Sequence, residues 1–213
     1  MLLLTTAGDG EGARLTGARD VAVDSAGNLY VLGEHSGTVF RLEPDGTLDT
    51  LFRNPFFGPT EAVVDSQDRL FVSMRGLTRV LRFDEGGQTQ VIGAAGDGVH
   101  ALAFVQAIAV SADGVLWVAG RDSDNVFSVS KDGEIEQVID AAGDQHGGGL
   151  RSPRGLALRA GILYVAGDDS SNVFEVPLPE PTAGAGALAV FALLVLRLAR
   201  GIGDPNPAPR CGR

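Results

Sequence analysis

The stretch Asp20–Leu42, DVAVDSAGNLYVLGEHSGTVFRL, is echoed three times downstream. The copies are Glu61–Phe83 (EAVVDSQDRLFVSMRGLTRVLRF), Ala107–Val129 (AIAVSADGVLWVAGRDSDNVFSV) and Gly155–Val176 (GLALRAGILYVAGDDSSNVFEV). Their central leucines, Leu29, Leu70, Leu116 and Leu163, stand 41, 46 and 47 residues apart. Each copy breaks at turn-forming residues into short apolar runs. In the first, Asp20–Val23 leads through Asp24-Ser25-Ala26-Gly27-Asn28 to Leu29–Leu32, and Gly33–Gly37 turns the chain into Thr38–Leu42. After Pro44-Asp45-Gly46 a fourth run, Leu48–Phe52, completes the unit. Runs of four to six Val, Leu, Tyr and Phe bounded by Gly, Asp, Asn and Ser read as strands joined by hairpins. Helical spacing is not sustained in any copy.

Four strands per unit make one antiparallel blade, and a strand-built repeat near 45 residues predicts an all-β propeller. A blade buries its faces only against neighbouring blades. The first strand of each should be innermost, where Val21-Ala22-Val23, Ala62-Val63-Val64, Ile108-Ala109-Val110 and Leu156-Ala157-Leu158 suit a crowded centre. Tyr30, Phe71, Trp117 and Tyr164 recur one strand further out and are expected to pack between blades.

The 213 residues are 44% hydrophobic, enough for one substantial core. Thirty glycines suit a protein made of tight turns. The net charge is −10 and the basic residues are scattered, so the basic stripe of a nucleic-acid partner is absent. A single cysteine, Cys211 near the chain's end, allows no internal disulfide.

Met1-Leu2-Leu3-Leu4 is too short an apolar run for a secretory leader. Leu2–Thr5 instead resembles Gln90–Ile92 and Gln137–Ile139, the ends of later units. All three lead into a Gly-Asp loop: Thr6-Ala7-Gly8-Asp9, Ala94-Ala95-Gly96-Asp97 and Ala141-Ala142-Gly143-Asp144. Leu2–Thr5 therefore reads as an outer strand. It either completes the fourth unit, which stops after its third strand at Val176, or belongs to a blade upstream. Because the Gly-rich loops repeat in register, they are expected on one face of the disc, near its centre. At the second such position Asn54-Pro55-Phe56-Phe57-Gly58-Pro59 replaces the Gly-Asp element, and its phenylalanines are expected to fold back over the core or to form a contact patch.

The pattern GxAVDxxGNLYVxxxxxxxVxRL, preceded by an AGDGxG loop, resembles the NHL-repeat β-propellers across about residues 5–176. The resemblance implies a ring of usually six blades, of which these units supply about four. The chain then reads either as a closed four-bladed ring or as part of a six-bladed one.

Beyond the repeats, Val176-Pro177-Leu178-Pro179-Glu180-Pro181 breaks the strand pattern, and an apolar run from Ala183 is followed by Arg197 and Arg200. The expected divisions are a propeller over 1–176, a Pro-rich linker over 177–182, an apolar segment over 183–200 forming a short helix, and a disordered tail over 201–213. The apolar core of fourteen residues, Ala183–Leu196, is short for a membrane span of roughly 20, and snorkelling arginines bring it near that length. The order Pro179-Glu180-Pro181, apolar run, Arg197 and Arg200 resembles the PEP-CTERM sorting signal. That resemblance implies a Gram-negative source, processing by an exosortase-type enzyme, membrane association through the segment, and delivery to the cell envelope or extracellular matrix. It also implies an export leader, and hence that Met1 is not the native start or that the chain is a truncated gene product.

The one chemical constellation is His100 and His146, 46 residues apart in corresponding loops, with Asp97 and Asp144 just upstream. Two imidazoles and two carboxylates on one face could hold a divalent ion such as zinc. The registers differ by one residue, and solvated loop side chains are the simpler expectation. Gly120–Asn125 and Gly167–Asn172 offer oxygens suited to calcium, but Asp and Asn are also what tight turns require. Ser73, Ser128 and Ser130 lie on strand runs without a nucleophile elbow. The favoured function is a non-catalytic binding or scaffolding module with no cofactor and a protein or carbohydrate ligand. The alternative is a metal-dependent hydrolase or lyase using Asp97, His100, Asp144 and His146.

Overall fold

The computed structural model describes residues 3–143 and 148–178. Among the described residues, fifteen strands make three four-stranded antiparallel sheets and one three-stranded sheet. Blade I comprises β1 (Ala18–Val23), β2 (Leu29–Gly33), β3 (Thr38–Leu42) and β4 (Leu48–Arg53). Blade II follows with β5 (Pro59–Val64), β6 (Leu70–Met74), β7 (Arg79–Asp84) and β8 (Gly87–Ile92). Blade III holds β9 (Val105–Val110), β10 (Leu116–Gly120), β11 (Asn125–Val129) and β12 (Ile135–Ile139). Blade IV has β13 (Pro153–Arg159), β14 (Ile162–Gly167) and β15 (Asn172–Pro177). Strand order within each sheet is sequential, as hairpin connections dictate. The protein is an all-β propeller, and the blade boundaries fall where the repeats place them.

Neighbouring blades meet through their first strands, β1 with β5, β5 with β9 and β9 with β13, so these strands are innermost. Prolines stand at the first residue of β5 and of β13, where a missing N–H costs the ladder least. The four register-matched leucines hold matching places. Leu70 and Leu116 are buried on the faces turned to the preceding blade, Leu163 is fully buried, and Leu29 packs partly against the Phe40 cluster.

The core lies between blades. At the junction of blades I and II, Tyr30, Leu32 and Val39 pack against Ala62, Leu70, Val72, Leu81 and Phe83. Between II and III, Phe71 and Val80 pack against Ile108, Leu116, Val118 and Phe127. Each such side chain contributes roughly 1.5–3 kcal/mol by leaving water. The aromatic series behaves as expected where a following blade exists: Tyr30, Phe71 and Trp117 are 6, 4 and 3% exposed. Tyr164, on the last blade, is only half-buried.

One sequence expectation is corrected and one alternative is decided. Leu3–Thr5 is not a strand, and Leu4 packs into the cluster of Ala13, Leu15, Val31 and Phe40 on blade I. Leu4 thus packs against blade I as Ile92, of β8 in blade II, packs against blade III, and the described blade IV has three strands. Of the two ring readings left open by the sequence, the described blades fit the unclosed one. Val21 and Val23 on β1 are 58 and 59% exposed, and Val173 on β15 is 64% exposed. Pro179, Glu180, Pro181, Arg197 and Arg200 lie outside the described residues, as do the linker beyond Leu178, the apolar segment and the tail.

Candidate functional site

The Gly-Asp loops are built by their aspartates. Asp9 Oδ1 accepts the N–H groups of Glu11 and Ala13, at 2.9 and 3.0 Å. Its Oδ2 accepts from Thr50 Oγ1 on β4 at 2.7 Å. Asp97 repeats the device: Oδ1 accepts from Val99 and His100 N–H groups, and Oδ2 lies 2.9 Å from His100 Nδ1. Burial works against the charge on Asp97, but His100's ring and N–H and the Val99 N–H outweigh it and hold the carboxyl down at about 2. Asp144 and His146 lie outside the described residues. Among the described residues no group of three or more His, Cys, Asp or Glu side chains is placed to hold a metal ion.

The Gly-Asp elements of the two described loops lie over outer strands rather than near the centre, where they were expected. Asp9 is bonded to the outermost strand of blade I, Gly96 abuts the Phe127 ring on β11, and Asp97 acts electrostatically on Glu136 of β12. The cause is local. A loop leaving an outer strand has a short path across the third and fourth strands of the next blade, where its carboxylate finds partners.

The hairpins that suggested calcium are fold elements. Ser36, Ser123 and Ser170 Oγ accept the N–H groups of Thr16, Ala103 and Arg151 at 3.1, 3.0 and 3.1 Å. Ser123 and Ser170 donate to Asn125 and Asn172 Oδ1, both at 2.6 Å. The asparagine amides then donate to Ala101 and Gly149 carbonyls. In blades I, III and IV these bonds tie the entry loop to the central hairpin.

The innermost strands carry a feature the sequence reading missed. Asp20 Oδ2 accepts the Ala62 N–H across the blade I–II junction at 2.8 Å. Glu61, its counterpart one repeat later, accepts the Ile108 N–H across the II–III junction at 2.8 Å. Burial pushes Glu61 up to about 7, opposed by the Ile108 N–H and assisted by the nearby Asp20 charge. The repeat alignment does hold the signal, since both carboxylates occupy the position before the apolar inner-strand triplet.

Between blades II and III a cleft of about 260 Å³ is lined by Arg69, Phe71, Arg82, Leu116 and Lys131, among others. Two of its cations are already paired. Arg69 holds Asp65 through Nε and Nη2, both at 2.6 Å, and lies 5.7 Å over the Phe71 ring. Arg82 Nε is 2.7 Å from Asp84.

On the face bearing the loops between blades, two apolar side chains stand out. Phe56 and Val99 are each 83% exposed. Each follows an Asx turn: Phe56 N–H donates to Asn54 Oδ1 and Val99 N–H to Asp97 Oδ1. The phenylalanine pair thus divides between the two expectations, since Phe57 lies against Gly76 of the 3₁₀ turn Arg75–Leu77 while Phe56 points out.

The fold and these features define a β-propeller of stacked antiparallel blades. No family model matches the chain, and no curated protein matches it. Solved structures do resemble it. A streptogramin B lyase superposes at TM-score 0.56 with 14% identity, covering 79% of this chain and 57% of that one. A gluconolactonase from Xanthomonas campestris gives 0.58 and 20%, covering 76 and 59%. An auxiliary nutrient binding protein from Bacteroides ovatus gives 0.56 and 17%, covering 75 and 48%. At these identities the likeness concerns the fold, and the chain spans little more than half of the lyase and gluconolactonase chains.

Proposed function

We propose that the chain is a non-catalytic binding module of the NHL type that grips a protein partner through the loop tips Phe56 and Val99. The carrying observation is that these two apolar side chains are 83% exposed on adjacent loops whose backbones are pinned from within. Pinned apolar tips bind with little ordering cost. The fold by itself selects no activity, since its structural neighbours include two kinds of enzyme and a nutrient-binding protein. The geometry around Asp97 speaks against the hydrolase or lyase reading: both carboxylate oxygens are used within the loop, over the outer strands.

The NHL reading rests on the four registers of the repeat. Export to the cell envelope or matrix rests on the PEP-CTERM-like order of Pro179, Glu180, Pro181, Arg197 and Arg200. On this reading an exosortase-type enzyme processes the tail and the apolar segment engages the membrane. The absence of a basic stripe leaves no nucleic-acid partner to invoke.

Photo-crosslinking tests the binding face. A photoreactive side chain at position 56 or 99 of the full chain should give an adduct in a cell-envelope extract, and one at position 45, on the opposite hairpins, should not. Equal labelling at all three positions refutes the assignment. For export, a tagged chain with and without Pro179–Arg200 is fractionated. A cytoplasmic product in both cases removes the sorting reading.

A further inference from the structure

We infer that the cleft between blades II and III binds a small carboxylate that carries an aromatic ring. The site stands out against its counterpart one repeat earlier, at the junction of blades I and II. There Phe83 lies opposite Leu70 in the β6–β7 ladder, and its ring meets Phe52 edge-on with centroids 6.4 Å apart. Val129 holds the same place opposite Leu116 in blade III, so the filling of one ring is missing. What remains is the cleft of about 260 Å³, with Phe71, Leu116 and Val129 in its lining. That volume lies just below the range usual for small-molecule sites.

The charge of the lining changes in the same place. At the I–II junction Arg41 is held by Glu43 at 3.1 Å and by Asp49 at 2.5 Å. Its counterpart Arg82 keeps the first partner, as Asp84 at 2.7 Å, but Thr89 stands opposite it where Asp49 stands opposite Arg41. Asp68 accepts the Ser25 N–H at 2.8 Å across the I–II junction, and its match in blade III is Gly114. A Cβ at Gly114 would come within 3.3 Å of Arg69 Nη2, so the lost carboxylate belongs beside that arginine. Lys131 stands where blade II has Glu85, and Arg69 where blade I has Asn28. The lining thus holds three cations against one carboxylate, Asp132, in a chain of net charge −10. Asp65 and Asp84 back the two arginines, but Asp24 and Glu43 hold those places at the I–II junction too, so the excess of positive charge stands. Arg69 uses Nε and Nη2 on Asp65, and the Arg82 Nε contact with Asp84 is a charge pair without a directed hydrogen bond. A guanidinium has five N–H groups, so both arginines keep donors for an anion. A bound carboxylate would do for Arg82 what Asp49 does for Arg41, and its ring would do for Val129 what the Phe83 ring does for the first junction.

The cleft shares no residue with the loop tips Phe56 and Val99, so its test is independent of the partner-binding reading. Phenylacetate and benzoate are titrated into the full chain by calorimetry, and both should bind, shifting the Gln90 and Ser130 amides in NMR spectra. Acetate, benzyl alcohol and inorganic phosphate each lack the ring or the charge and should bind at least about tenfold more weakly. Thr89→Asp and Val129→Phe rebuild the lining of the first junction, and each should abolish the heat of binding. Lys131→Glu changes a side chain that is 68% exposed, so folding is spared, and it should weaken binding about fivefold. Arg151→Glu, a similarly exposed change in the entry loop of blade IV, should leave binding as it is. No heat from either ring acid up to roughly 10 mM, binding that ignores both Thr89→Asp and Lys131→Glu, or phosphate or acetate binding as tightly as the ring acids would each overturn the inference.

Discussion

The carboxylate of Glu61, on the inner strand of blade II, accepts the backbone N–H of Ile108, on the inner strand of blade III, at 2.8 Å. The bond crosses a junction where apolar contacts dominate, and it puts a charge where burial resists one. Protonation therefore favours the folded state.

Glu61 has its folded value raised from 4.5 to about 7. Its contribution is fully present below the lower value and is lost as pH climbs through the upper one. Wild-type stability should fall between pH 5 and 8 relative to Glu61→Gln, which keeps an acceptor for the Ile108 N–H and removes the charge. Asp9, Asp24 and Asp97 are lowered and so stay ionised across this window in both states, while Glu136 moves with Glu61 and cancels in the comparison. The variant should be about 1–2 kcal/mol more stable at pH 8 and close to wild type at pH 5 by urea denaturation. A constant offset at both pH values would refute this.

Gly120 is expected to be among the least replaceable residues. A Cβ there would meet Ser123 Oγ at 2.2 Å and Asn125 Oδ1 at 2.7 Å, breaking the bonds that hold the blade's entry loop. Gly120→Ala should cost about 2–3 kcal/mol, with the loop's amides exchanging faster. Gly133 provides the contrast: its Cβ would meet nothing, and only its φ of +87° objects. About 1 kcal/mol is expected for Gly133→Ala.

The Asp97–His100 pair should behave as a loop clasp. His100 is exposed, so His100→Ala should cost about 0.5 kcal/mol, as surface pairs do. Asp97 is depressed to about 2, so its contribution is present above the ordinary 3.8 and lost as pH falls toward 2. A zinc site at a hundredfold excess over its Kd would add about 2.7 kcal/mol of stability. A zinc-dependent rise in Tm that His100→Ala abolishes would favour the metal reading.

Most of the fold was readable because a blade repeats. Four registers of Leu29, Leu70, Leu116 and Leu163 constrain one another, so a local ambiguity in one copy is settled by the rest. What escaped were radial facts. Register says where Asp97 lies along a blade's perimeter, but the path of its loop depends on partners such as Glu136 and Phe127 on other strands. Asp20 and Glu61 escaped for the same reason. Each reads alone as a polar strand end, and only stacking brings it within 2.8 Å of the next blade's backbone. The run Leu2–Thr5 shows a different limit. Its pattern is that of an outer strand, but a strand needs a neighbour, and Leu3–Thr5 has no third strand of its own blade beside it.

The clearest consequence of stacking comes from one substitution made at two matching positions. Val126 and Val173 occupy the same place in β11 and β15, yet one is 0% and the other 64% exposed. Val126→Ala leaves a cavity in the buried core and should cost about 2 kcal/mol, the transfer of two methyl groups with incomplete relaxation. Val173→Ala exposes almost nothing new within a single chain and should stay within about 0.5 kcal/mol. The comparison is made by urea denaturation of the two variants side by side. If Val173→Ala costs as much as Val126→Ala, the outer face of blade IV is covered within a single chain.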